Sequence, residues 1–135
     1  MDRGLLLAAS GVMRRLLLIA VVGLTGCITP SIPIPPPDPT QMDFAVVGDP
    51  GTRTASMTYP ADDNYRDSVV FIYNRNRGVG VIQDAHPDGS VGPTPPVAAE
   101  LGDQIVVSFE RADQTVSTCI RLRQGIQSPT DYCGP

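Results

Sequence analysis

The chain has 135 residues with ten Arg, no Lys, one His, three Cys and no Trp, and its formal net charge is −4. That length holds one ordinary domain. Residues 27–135 carry seven Arg against thirteen Asp or Glu, a balance of −6 that argues against nucleic acid, which needs clustered cations, and a lone His leaves little for a transition-metal site.

In chain order, Arg14 and Arg15 precede an apolar run from Leu16 to Leu24. As a helix this run spans about 14 Å, against about 30 Å of bilayer hydrocarbon. It is too short for a transmembrane anchor and has the form of an export signal. The run ends in Leu24-Thr25-Gly26-Cys27. Positive start, apolar core and this tetrapeptide together resemble the signal and lipobox of bacterial lipoproteins over residues 13–27. The resemblance implies a signal peptide over 1–26, cleaved before Cys27, with a diacylglyceryl group on the Cys27 thiol as the only cofactor-like group. It also implies a membrane partner through that lipid. Ile28, where inner-membrane retention uses Asp, is similar to the outer-membrane sorting pattern. Met13 is a second candidate start, and both starts give the same mature chain.

Six of residues 29–43 are Pro. Proline fixes φ and favours the extended polyproline II form. Residues 27–43 therefore read as lipidated Cys plus a stiff linker, with a domain over 44–135. In that domain, turn residues separate short runs rich in Val, Ile, Thr, Phe and Tyr, which predicts about seven short strands in an all-β, small antiparallel sandwich.

The predicted strands are 44–47, 53–59, 68–74, 78–84, 103–110 and 115–122. Ala55, Met57 and Tyr59 share one face, as do Ile105, Val107 and Phe109, and Val116, Thr118, Ile120 and Leu122. Residues 68–74 are apolar on both faces, which predicts a central strand. Val70-Phe71-Ile72-Tyr73-Asn74, Asp88-Gly89-Ser90, and Val97 to Ser108 with its Gly102-Asp103 step are similar to bacterial immunoglobulin-like and carboxypeptidase-regulatory-like modules. That resemblance covers 68–122 and implies an immunoglobulin-like sandwich. The chain departs from it at Val91-Gly92-Pro93, where such modules carry an aromatic residue.

With Cys27 assigned to lipid, Cys119 and Cys133 remain, and an even pair in an exported domain reads as a disulfide. Cys119 falls on the outward face of the last long strand, so a bridge would fold the tail back across the outside of the sheet. Two free thiols or an intermolecular bridge are the alternatives.

The search for chemistry yields little. Asp84, His86 and Asp88 alternate as metal ligands on a strand would, but Pro87 interrupts them and a solvated hairpin accounts for them. Read as a calcium loop from Asp84, the twelfth position is Pro95 in place of Glu. Asp62, Asp63 and Asp67 are calcium candidates by residue type alone. No Ser–His–Asp set can be built around His86, so no catalytic residue and no metal site is assigned, and the chain reads as non-enzymatic. Tyr59, Tyr65 and Tyr73 are the candidates for a glycan-stacking surface, with core packing the expected role of Tyr59 and Tyr73. The leading expectation is an envelope lipoprotein with a structural or protein-interaction module. The alternative is a module that binds glycan or calcium at its loops.

Overall fold

A computed structural model describes residues 32–133. The expected signal over 1–26 and the lipidation site Cys27 lie outside the described residues. Eight strands form: β1 (Asp43–Val47), β2 (Thr54–Thr58), β3 (Val69–Asn74), β4 (Val79–Asp84), β5 (Val97–Ala98), β6 (Gln104–Arg111), β7 (Gln114–Arg121) and β8 (Gly125–Ile126). They make two antiparallel sheets, ordered β5-β2-β1-β8 and β4-β3-β6-β7, which pack as a small β-sandwich. The strand beyond the expected seven is the two-residue β8, which pairs with β1 in the tail. Over 90–97, where the family pattern breaks, there is only an isolated bridge from Val91 to Tyr59 before β5 begins.

Alternation accounts for the core. Ala55, Met57 and Tyr59 from the first sheet meet Val70, Ile72, Ile105, Val107 and Phe109 from the second, all buried. β3 is central in its sheet as expected, paired with β4 on one side and β6 on the other. Its second apolar face is not buried, however: Tyr73 is 46% exposed, so its expected core role is not what the fold gives it. A two-layer sandwich covers only the inner face of each sheet, so a strand apolar on both faces shows one of them to solvent.

Tyr65 takes the core position instead. It ends a 3-10 turn, Asp63–Tyr65, which Asp62 caps by accepting the Asn64 N–H at 2.9 Å. Its ring packs on Tyr59 and Phe109 at centroid distances of 5.6 and 4.1 Å. Burial pushes both tyrosine hydroxyls above their ordinary acidity range, Tyr65 the further. The Tyr65 hydroxyl donates to the Pro35 carbonyl at 2.8 Å.

That last bond belongs to a docked stretch of the expected stiff linker over 27–43. From Pro33 onward the chain belongs to the same compact unit as the strands. Ile34 and Pro37 are buried three residues apart, the repeat of a polyproline II turn, so one edge of the extended segment faces the sandwich. The Ile34 N–H donates to the Gln114 side chain at 2.9 Å, and the Thr118 hydroxyl donates to the Pro37 carbonyl at 2.6 Å. The Asp38 N–H donates to the Tyr59 hydroxyl at 3.1 Å. Residues 34–38 thus form a strap against the inner face of β7, and proline suits it because its backbone needs no ladder partner.

The Cys119–Cys133 disulfide is present, with Cα atoms 5.3 Å apart. Tyr132 bridges to Ile120 and the Cys133 N–H donates to the Cys119 carbonyl at 3.2 Å. The tail therefore runs alongside β7 as an added edge, and does not cross the outside of the sheet.

Candidate functional site

Two of the three calcium candidates, Asp62 and Asp63, are engaged within their own loop. Asp62 caps the Tyr65 turn, Asp63 pairs with Arg66 at 2.9 Å, and Asp67 has left-handed backbone at φ 58°. The loop at 86–90 packs against this one: Gly89, at φ 81°, lies so close to the Asp62 carbonyl that a Cβ there would collide with it. His86 places Nε2 3.2 Å from the Gly92 carbonyl. Asp88 accepts the Ser90 hydroxyl and N–H at 2.6 and 2.9 Å, which holds its carboxyl below the usual range. Among the described residues, no three His, Cys, Asp or Glu come together as a metal site. The hairpin reading of 84–88 agrees with these bonds.

At the other end of the sandwich a polar hub joins three turns. Asn74, fully buried, donates from Nδ2 to the Ala98 carbonyl at 3.0 Å and to Asp103 Oδ2 at 2.8 Å, while its Oδ1 accepts the Asn76 N–H at 2.9 Å. Asp103 also accepts the Glu100 N–H at 2.9 Å and Arg77 Nε at 3.2 Å. Glu100 accepts the Gly51 N–H at 2.7 Å and faces Arg53 at 3.4 Å. Partial burial alone would raise the Asp103 carboxyl, but these donors outweigh it and hold it below its ordinary value. A lowered folded-state pKa means stability that is complete above about pH 4 and is lost as pH falls through the folded value. Asp103→Asn is therefore expected to flatten the acid limb of a urea-midpoint-against-pH plot. An unchanged acid limb would place the acid sensitivity elsewhere.

The sheet register sorts charge in a way the linear sequence does not. Arg53, Arg75, Arg77 and Arg121 sit at the hub end, where Glu100 and Asp103 pair with Arg53 and Arg77 and leave Arg75 and Arg121 for the outer face. Asp62, Asp63, Asp67, Asp84, Asp88 and Glu110 gather at the opposite end with Arg66 and Arg111, and there Val69 pairs with both Asp84 and Glu110 on the outer face. Arg75 and Arg121 make no ion pair among the described residues and flank Gln104 on one row of the outer face of β4-β3-β6-β7.

Between these two ends the β4-β3 side of the outer face is apolar, while the β6-β7 side mixes Val106 with two serines. One row holds Gly80, Tyr73, Val106 and Cys119; the next holds Ile82, Phe71, Ser108 and Ser117, the two serine hydroxyls 2.7 Å apart. Ile82 is 63% exposed. This face, bordered by arginines above and carboxylates below, is the surface that sequence reasoning missed. The signal was available in residues 69–73: two apolar faces in an antiparallel sandwich leave one uncovered. Comparison of the chain with protein-family models, with curated proteins and with solved structures finds no match.

Proposed function

We propose that the chain is a lipid-anchored protein of the bacterial envelope whose β-sandwich is a non-enzymatic structural or interaction module. The observation that carries the interaction role is the outer face of β4-β3-β6-β7, where Ile82 and Tyr73 are exposed beside Phe71 and Val106 and the area is bordered by opposite charges. Exposed apolar area with a polar rim is the usual composition of a surface that meets a partner. The lipid anchor rests on the coincidence of Arg14-Arg15, the Leu16–Leu24 run and Leu24-Thr25-Gly26-Cys27. Ile28 favours the outer membrane as the destination. The strand orders support an immunoglobulin-like reading: β1, β2 and β5 in one sheet and β3, β6 and β7 in the other follow the A-B-E and C-F-G arrangement, with β4 added beside β3.

Two or three acyl chains hold a protein firmly on a bilayer, because each buried CH₂ contributes roughly 0.8 kcal/mol. Cys27→Ser is expected to move the protein from the membrane to the soluble fraction. A variant that stays acylated and membrane-bound would refute the anchor. A second reading, glycan binding, is favoured by Tyr73, whose exposed ring lies beside Gly80 as a stacking platform requires. Calorimetric titration with envelope glycans separates the two, heat of binding that disappears in Tyr73→Ala supporting the glycan.

A further inference from the structure

We infer that the outer face of β4-β3-β6-β7 is a self-complementary surface whose partner is a second copy of this chain. The inference gives the interaction module its partner and rests on that reading, but not on the lipid anchor.

Four rows cross the face in order. Gln104 and Arg121 form the first, continued by Arg75, which follows β3 in the turn and bonds the Gln104 carbonyl through its N–H; Gly80, Tyr73, Val106 and Cys119 form the second. Ile82, Phe71, Ser108 and Ser117 form the third; Asp84, Val69, Glu110 and Thr115 the fourth. The order is thus positive, apolar, half apolar and half hydroxyl, negative. A two-fold axis lying in the interface, perpendicular to the strands and between the middle rows, sets the first row of one copy on the fourth row of the other.

The consequences can be read column by column, since a two-fold interface pairs residue i with j and j with i. Tyr73 meets Phe71. Ile82, the most protruding apolar residue of the face, meets the Gly80 position, which has no side chain of its own. Arg75 meets Val69 with Asp84 and Glu110 on either side of it. Arg121 meets Thr115 with Glu110 beside it, so each Glu110 stands between two arginines of the opposite copy. Neighbouring strands are about 4.8 Å apart, within reach of an Arg side chain. The other in-plane axis, parallel to the strands, would lay the Arg row on itself and the acidic row on itself. The charges therefore select one arrangement and penalise the other.

Two faces packed this way resemble the inside of a sandwich, with aligned strands at roughly −30°. The footprint is about 19 Å by 20 Å, from strand and residue spacings. That is below the standard size for a stable complex and fits a weak dimer. The disulfide stands at the border of the face in the second row, and keeps the tail beside β7 and off the face.

Sedimentation equilibrium over a wide concentration range tests this on the mature chain carrying Cys27→Ser, which keeps lipid from driving association. The expected result is a monomer–dimer equilibrium. Arg121→Glu and Glu110→Arg should each weaken it about tenfold or more, since the symmetry doubles every change. The two together exchange the charges and should restore most of the lost affinity. Ile82→Asp should abolish the dimer while leaving the melting temperature of the sandwich unchanged. A monomer at every concentration would overturn the inference, as would dimers indifferent to these four variants. A monomer whose Tyr73 face binds glycan would overturn it too, and would assign the face to that ligand. Because the anchor is absent throughout, failure here leaves the Cys27 fractionation result standing on its own.

Discussion

Gly89→Ala is expected to destabilise the sandwich by about 3–5 kcal/mol, most of the stability a domain of this size holds. Two costs add. An L side chain at φ 81° is strained by about 1–2 kcal/mol. The new Cβ would also overlap the Asp62 carbonyl, and backbone cannot step aside as a flexible side chain can. Moving Asp62 disturbs the cap of the Tyr65 turn, and with it the Tyr59–Tyr65–Phe109 cluster. Gly102→Ala provides the control. Its φ is 90°, but a Cβ there meets nothing within 4 Å, so only the strain of about 1–2 kcal/mol remains. Urea unfolding of both variants separates the two costs. Equal midpoint shifts would show that the two loops yield to each other more easily than their backbone contact implies.

Removing the disulfide is expected to cost about 3 kcal/mol, the chain-entropy value for a loop of some 15 residues. For a domain near 100 residues that corresponds to a melting temperature lower by about 12–24 °C. Cys119→Ala together with Cys133→Ala, or reductant added to the native chain, should give the same drop. The loss also uncovers an edge. Without the bridge, the Tyr132 and Cys133 contacts with β7 have no covalent support, and an eight-residue strand would present unpaired backbone groups to solvent. Aggregation on heating should therefore rise along with the fall in melting temperature. A reduced protein that melts within a few degrees of the oxidised one would show that the tail is held by other bonds. Those from Gln127, whose buried side chain bonds Arg123 and Gly125, are the first to consider.

Much of this fold was legible in the residues. Ile105, Val107 and Phe109 alternate with Gln104, Val106, Ser108 and Glu110, polar but for Val106, because one face of β6 is buried and the other is not, and that asymmetry writes itself into the sequence. The Cys119–Cys133 pair was legible for a different reason, the shortage of other partners for two thiols. The strap was not. Ile34 and Pro37 sit in a stretch whose composition is that of a spacer, and what docks them lies on a strand some 80 residues away. The candidate face was hidden in the same manner. Arg75 and Arg121 are 46 positions apart in the sequence and become neighbours only through their shared contact with Gln104. Register, which sets such rows, follows from pairing and turn geometry and not from any one segment.

The strap also orders events in time. The first residues of the domain, Ile34 and Pro37, find their partners on Gln114 and Thr118, separated from them by 80 and 81 positions. Nothing made in between can stand in for β7. Contacts of such long range make a sandwich slow to fold. A chain emerging from its N-terminus can therefore meet Tyr59 and Tyr65 with Asp38 and Pro35 early, but carries Ile34 and Pro37 without their β7 partners until nearly the whole domain has followed. Proline makes that wait less costly, because a segment already extended loses little freedom when β7 finally arrives.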